Sequence, residues 1–303
     1  MMDFQQKLMA LLGEASVKTE EPMKNHTTFR IGGPVTYYVI PENGQELAAV
    51  IALCRGEEVP YYVLGNGSNL LVSDDGWRGV VISTERLCEC QVRGDRLWAQ
   101  AGVLLSRMAK KAKDASLTGF EFAAGIPGTL GGALVMNAGA YGSEMKEVLV
   151  SATVLAPDGT LHRLSAEELE LGYRTSCIPR NEYVVLEAEV LLAPGDQEAI
   201  QSRMDELAFL RRSKQPLEYP SAGSTFKRPA GYFAGKLIDD AGLRGFQVGG
   251  AQVSEKHCGF VINKEQATAR DVMELCSQVK QRVKAQFGVD LEMEVKRLGT
   301  FGS

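Results

Sequence analysis

The chain has 303 residues, of which 45% are apolar and 23% charged, with a formal net charge of −5. This is the profile of a water-soluble chain long enough for two domains, and the acidic balance disfavours nucleic acid as the main partner. No apolar run approaches the roughly 20 residues that span a bilayer, and the first twelve residues lack the basic start and small-residue cleavage site of a signal peptide, so a cytoplasmic protein without membrane insertion is expected. The six cysteines form no C-x-x-C pair, and with only three histidines they offer no metal-site spacing. Reduced thiols and no metal are expected.

In chain order, Asp3 to Leu12 places Phe4, Leu8, Leu11 and Leu12 on one helical face ahead of a capping Gly13. Val35–Ile40 and Val59–Leu64 read as strands flanking a helix over Glu46–Arg55, a small βαβ unit. Further strands are predicted at Val80–Ser83, Cys88–Val92 and Leu97–Ala101, then a helix at Leu104–Ala112. Val150–Leu155 and Leu161–Leu164 form a hairpin around Ala156-Pro-Asp-Gly159, and Tyr183–Leu192 is a strand.

Pro194-Gly195 is the predicted domain boundary. It separates residues 1–194, with lobes of roughly 20–83 and 84–194, from residues 195–303. Beyond it, Gln197–Arg212 is an amphipathic helix with a basic last turn, and Pro216–Pro229 reads as a long loop. A helix at Tyr232–Ala241 and strands at Gln247–Val253 and Gly259–Asn263 follow. Thr268 and Asp271 resemble a capping box that starts a helix stopped by Gly288. The last strand, Asp290–Leu298, alternates so that Leu291, Met293 and Val295 oppose Glu292, Glu294 and Lys296.

Two stretches carry more glycine than packing requires. Residues 125–142 hold Gly125, Gly128, Gly131, Gly132, Gly139 and Gly142, and Gly65-Asn-Gly-Ser-Asn69 follows an apolar strand. Consecutive backbone N–H groups in such turns form a concave anion site, and two of them suggest a dinucleotide clamp, although each turn alone equally fits a ligand-free connection. The Rossmann fingerprint fails, because Leu70 holds the third glycine position and Leu70–Gly76 reads as strand and turn. No P-loop is present.

Three further polar positions, Arg174, Ser224 and Glu294, stand in distinctive surroundings. Each by itself fits an ordinary solvated side chain at least as well as a catalytic one. No G-x-S-x-G elbow surrounds Ser224, which disfavours acyl transfer.

Taken together, Asn25-His-Thr-Thr-Phe-Arg-Ile-Gly-Gly33, Gly65-Asn-Gly-Ser-Asn-Leu-Leu-Val72, Gly125-Ile-Pro-Gly-Thr-Leu-Gly-Gly132, Asn137-Ala-Gly-Ala-Tyr-Gly142, Gly172-Tyr-Arg-Thr-Ser176, Ala222-Gly-Ser-Thr-Phe-Lys227 and Glu294-Val295 resemble the UDP-N-acetylenolpyruvoylglucosamine reductase family, in that family's order. The resemblance implies an α+β chain in which an FAD-binding domain of the vanillyl-alcohol-oxidase (PCMH) type precedes a smaller α+β substrate-binding domain. It implies non-covalent FAD, NADPH as hydride donor, and UDP-N-acetylglucosamine enolpyruvate as substrate, in bacterial peptidoglycan precursor synthesis.

By motif, the resemblance assigns cofactor contacts to Gly65, Asn66, Gly67, Ser68, Asn69, Gly125, Ile126, Pro127, Gly128, Thr129, Gly131, Gly132, Asn137, Gly139 and Ala140. Ser224 becomes the proton donor, with Arg174 and Glu294 stabilising an enol-like intermediate. Tyr141, Lys214 and Arg228 become substrate contacts, and His26 a structural motif residue rather than a flavin attachment point. The chain lacks the tyrosine-bearing insertion of one subgroup and resembles the shorter one. Two other readings stay open: a flavin oxidase of a small alcohol or sugar, and a catalytically silent nucleotide-binding protein.

Overall fold

The computed structural model describes residues 2–302. They pack as two compact units, each assembled from separated segments. One comprises the residues up to Thr19, Tyr37–Asn66 and Gly79–Arg211; the other comprises Glu20–Thr36, Gly67–Arg78 and the chain from Arg212 onward. The expected single cut at Pro194–Gly195 gives way to this division because Phe29, Ile31 and Leu71 are buried in the same core as Phe226, Leu275, Val279 and Val283.

The first unit has two hydrophobic cores. One gathers Leu8, Val39, Leu47, Val50 and Ile82. Its helix Phe4–Leu12 starts with a capping box between Asp3 and Gln6 and stops at Gly13. Its sheet runs in the order Val17–Pro22, Pro34–Val39, Trp77–Ser83, Tyr61–Leu64. The two strands flanking helix Gly44–Gly56 are therefore separated by Trp77–Ser83, which pairs in parallel with Tyr61–Leu64.

The other core gathers Leu97, Met108, Leu130, Leu134 and Val190 beneath a five-stranded sheet. That sheet is ordered Leu161–Ser165, Leu149–Leu155, Val184–Leu191, Arg96–Gln100, Cys90–Arg93, with antiparallel neighbours throughout. Along Val184–Leu191, alternation sends Ala188 and Val190 inward, and a register irregularity beside Leu186 brings Val185 to the same core.

The second unit holds a four-stranded antiparallel sheet ordered Ser221–Ser224, Phe260–Asn263, Ala251–Val253, Gln247–Val248. Helix Ala269–Phe287 packs its Val272, Leu275, Val279 and Val283 face into the core. It opens with the expected Thr268–Asp271 capping box and ends at Gly288. The Asp74 carboxylate also accepts the N–H groups of Ala269 at 2.7 Å and Arg270 at 3.0 Å, satisfying two of the donors that every helix start leaves open.

Four expectations change. Gln247–Val253 is a hairpin of two short strands rather than one strand. Ser221–Ser224, inside the expected loop, is a strand. The terminal strand is confined to Lys296–Leu298, parallel to Leu70–Val72. The middle of the central glycine stretch is the helix Leu130–Met136, with Thr129 at its N-cap.

Candidate active site

Within the first unit the two glycine-rich stretches meet. A Cβ built on Gly65 would lie 2.3 Å from the Thr129 hydroxyl oxygen, a separation no side chain can occupy. The neighbouring Asn66 amide donates to the Pro127 carbonyl at 2.7 Å. The division between the units falls just after Asn66, so Gly67, Ser68 and Asn69 belong to the second unit.

Not every N–H of the central stretch is available to an anion. That of Ile126 donates to the Ala123 carbonyl, Leu130 to Val103 and Gly131 to Ala101. The expected nest is therefore narrower than glycine count alone suggests. Gly131 is explained by packing, since a Cβ there would press 3.0 Å from that of Ala101.

Arg211, absent from the predicted site residues, donates to the Gly125 carbonyl. Burial lowers its pKa from the usual guanidinium value, an effect Tyr141 opposes. Burial raises the Tyr141 phenol in turn, opposed by Arg211. The two side chains therefore sense each other beside the second glycine turn. The signal in the sequence was the basic last turn of the helix, where Arg211 and Lys214 are one turn apart. Small residues that admit close main-chain approach, with a half-buried cation beside them, fit a pyrophosphate-bearing dinucleotide.

Asn137 is 1% exposed and takes the left-handed conformation at the end of helix Leu130–Met136, with φ of 45°. Its side chain is committed to protein groups. The amide donates to the Gly172 carbonyl at 3.2 Å, and the oxygen accepts the Lys146 N–H at 2.9 Å. Gly139 and Ala140 pair with Glu144 and Ser143, which puts Tyr141 and Gly142 at a hairpin tip. Arg174 sits in a turn closed by reciprocal main-chain bonds between Gly172 and Thr175. It has a φ of 55° and its guanidinium lies over the Tyr173 ring.

In the second unit, backbone pairing places Ser224 and Glu294 on adjacent segments. Phe226 bridges Met293 in antiparallel fashion, and the Glu294 N–H donates to the Thr225 carbonyl at 2.8 Å. Ser224 ends its strand opposite Phe260. Thr28 donates its hydroxyl to the Ser221 carbonyl at 2.7 Å, and Asn263 donates to the Phe29 carbonyl at 3.1 Å. These bonds tie the Asn25–Gly33 motif to the strand bearing Ser224 and to its neighbour Phe260–Asn263.

Glu294 is 9% exposed, so the expected alternation breaks there. Exposed Glu292 instead pairs with Lys227. Asn69 donates to the Glu294 carbonyl at 3.3 Å and its own carbonyl accepts the Lys296 N–H at 3.0 Å. His26 lies 2.7 Å from Glu21. Lys214 and Arg228 are exposed, and the Arg228 guanidinium stacks 3.9 Å over the Phe233 ring. No helix among the described residues is long and apolar enough to cross a membrane.

Residues 35–165 match the FAD binding domain family, and residues 215–298 match the C-terminal domain of UDP-N-acetylenolpyruvoylglucosamine reductase. A variant of Phl p 4, a glucose oxidase, shares the fold at a TM-score of 0.50 and 15% identity, over 65% of this chain and 45% of that one. The family matches and the fold thus define a flavin oxidoreductase, with an FAD-binding domain and a smaller α+β C-terminal domain.

The chain is 52% identical to the UDP-N-acetylenolpyruvoylglucosamine reductase of Clostridium tetani, covering 98% of this chain and 97% of that one. The crystal structure of the Thermus caldophilus enzyme superposes with a TM-score of 0.80 at 38% identity, over 93% of this chain and all of that one. The chain belongs to the UDP-N-acetylenolpyruvoylglucosamine reductase family.

Proposed function

We propose that this protein reduces UDP-N-acetylglucosamine enolpyruvate to UDP-N-acetylmuramate with NADPH, through non-covalently held FAD, as a cytoplasmic step of bacterial peptidoglycan precursor synthesis. The observation that carries this reading is the 52% identity to a reductase of that name, sustained over 98% of the chain. The glycine elements around Gly65 and Gly125–Thr129 hold the cofactor by main chain, assisted by the motif residues Gly67, Ser68, Asn69, Gly139 and Ala140. When bound, FAD supplies a hydride carrier between NADPH and the enolpyruvyl group.

The chain's own residues handle charge and proton. Hydride arrival at the terminal carbon leaves negative charge on the adjacent carbon and its carboxylate. Arg174 neutralises that charge and Glu294, as the carboxylic acid, donates a hydrogen bond to it, interactions stronger in the transition state than in the bound substrate. Ser224 delivers its hydroxyl proton to the adjacent carbon. A serine hydroxyl holds its proton far above neutral pH, so the transfer relies on a neighbour or a water to resupply it. Lys214 takes the substrate diphosphate, a role suited to a cation, and Tyr141 and Arg228 are further substrate contacts.

The test uses purified holoprotein, reduced anaerobically with NADPH and then mixed with UDP-N-acetylglucosamine enolpyruvate. Return of the oxidised flavin spectrum before oxygen is admitted is the expected result. A flavin that stays reduced until oxygen enters would replace this reading with an oxidase.

A further inference from the structure

The turn that carries Arg174 is an unusual place for an arginine. Gly172 and Thr175 close it with reciprocal main-chain bonds of 3.1 and 3.3 Å. Arg174 itself has a φ of 55°, a conformation that favours glycine or asparagine and is costly for a long side chain. A residue held in that region persists only where its surroundings over-determine it. Two tethers do so here, both running to helix Leu130–Met136 and the residue that ends it. The Ser176 hydroxyl donates to the Val135 carbonyl at 2.9 Å, and the Asn137 amide donates to the Gly172 carbonyl at 3.2 Å.

We propose that Asn137 is a positioning residue for Arg174, its side-chain amide fixing the turn from which the guanidinium projects. The sequence motif suggested a cofactor contact, but the side chain is buried and both of its ends are occupied by protein groups. The Lys146 N–H holds the amide oxygen at 2.9 Å. That bond fixes which end of the amide faces Gly172, since an N–H must meet the oxygen and a carbonyl the nitrogen. Asparagine serves here because it alone among amide side chains readily takes the left-handed backbone that ends the helix. Glutamine keeps the amide but not the ease of left-handed backbone, and alanine lacks both. The inference rests on the proposed role of Arg174, and it adds a residue that touches neither substrate nor cofactor.

The discriminating variant is Asn137→Asp. It keeps the size, the tolerance of left-handed backbone and the acceptor for Lys146, but sets a carboxylate oxygen against the Gly172 carbonyl. Anaerobically reduced holoenzyme is mixed with UDP-N-acetylglucosamine enolpyruvate in a stopped-flow instrument and flavin reoxidation is followed. Displacement of a charged group by about 1 Å costs up to about 100-fold in rate. The expected result is at least a tenfold loss at saturating substrate, with flavin content and the rate of reduction by NADPH unchanged. In an Arg174→Ala background the same substitution should add less than a threefold further loss.

Equal losses in the two backgrounds would overturn the proposal, as would release of flavin or an unchanged reoxidation rate. If Arg174→Ala itself leaves reoxidation unchanged, the role of Arg174 falls and this inference with it. A slow Arg174→Ala beside an unaffected Asn137→Asp removes the inference alone. Asn137→Gly, which keeps the backbone conformation and deletes the side chain, takes the place of Asn137→Asp if the buried charge prevents folding. Failure of both to fold would make the amide a folding element and overturn the proposal.

Discussion

Gly65 shows how tightly single atoms constrain this chain. Because a Cβ there meets the Thr129 hydroxyl at 2.3 Å, Gly65→Ala is expected to lose about 1–3 kcal/mol of stability by overpacking. Thr129→Ala removes the offending oxygen and leaves the remaining Cβ at an ordinary 3.4 Å, so the double variant should recover most of the loss. Urea midpoints of the four proteins check this, and a single variant as stable as the parent would show that the two turns yield freely. At the proposed proton donor, Ser224→Ala should keep FAD bound and reducible by NADPH. It should slow reoxidation by the enolpyruvyl substrate about 100- to 10,000-fold, the usual weight of a general acid; unchanged reoxidation in a stopped-flow trace refutes that role. Glycine at the end of an apolar strand pointed to a close approach at Gly65, and the Thr129 hydroxyl supplies one. The sequence left Arg211 illegible, because a basic last turn of a helix is equally explained by the helix dipole. Only the approach to the Gly125 carbonyl separates the two.

At the scale of elements, helix Ala269–Phe287 was readable almost to the residue. Its apolar spacing, capping box and terminal glycine are all local signals, and the structure uses each of them. Thr268→Ala should cost about 1 kcal/mol, measured as a shift in thermal or urea midpoint. The same cap carries a pH dependence. Burial pushes the Asp271 carboxyl upward, but the N–H groups of Thr268 and Gly250 and the Thr268 hydroxyl outweigh it and hold the group below its ordinary value of 3.8. Its contribution is fully present above that ordinary value and is lost as pH falls through the lower folded value. Asp271→Asn should therefore shrink the stability difference between neutral pH and about pH 3, and an unaltered acid limb would count against this account. Elements set by distant partners were less legible. Ser221–Ser224 reads as loop because prolines flank it and it contains Gly223, yet pairing with Phe260–Asn263 makes it a strand. Asp290–Val295 reads as strand from its alternation, but the described backbone supplies only the Phe226–Met293 bridge there, and Glu294 is buried where the pattern would expose it.

For the molecule as a whole, length and composition suggested two bodies, and two compact units are what the packing shows. Their discontinuity was not readable, because periodicity reports which face of an element is buried and not which core receives it. The second unit takes Phe29, Ile31 and Leu71 from early segments and pairs Lys296–Leu298 with Leu70–Val72. A fragment beginning at Gly195 should consequently fail to fold cooperatively, lacking part of its core and the partner of its last strand. A sigmoidal thermal transition in the circular dichroism of that fragment would contradict this.

The Leu70–Val72 pairing with Lys296–Leu298 also has a meaning in time. On a ribosome adding about 5–20 residues per second, Leu71 leaves the exit tunnel tens of seconds before the strand that completes its ladder exists. Phe29 and Ile31 wait as long. Throughout that interval the nascent chain presents apolar segments whose native neighbours are still untranslated, so the second unit completes its core and its last ladder only once Lys296–Leu298 has been made.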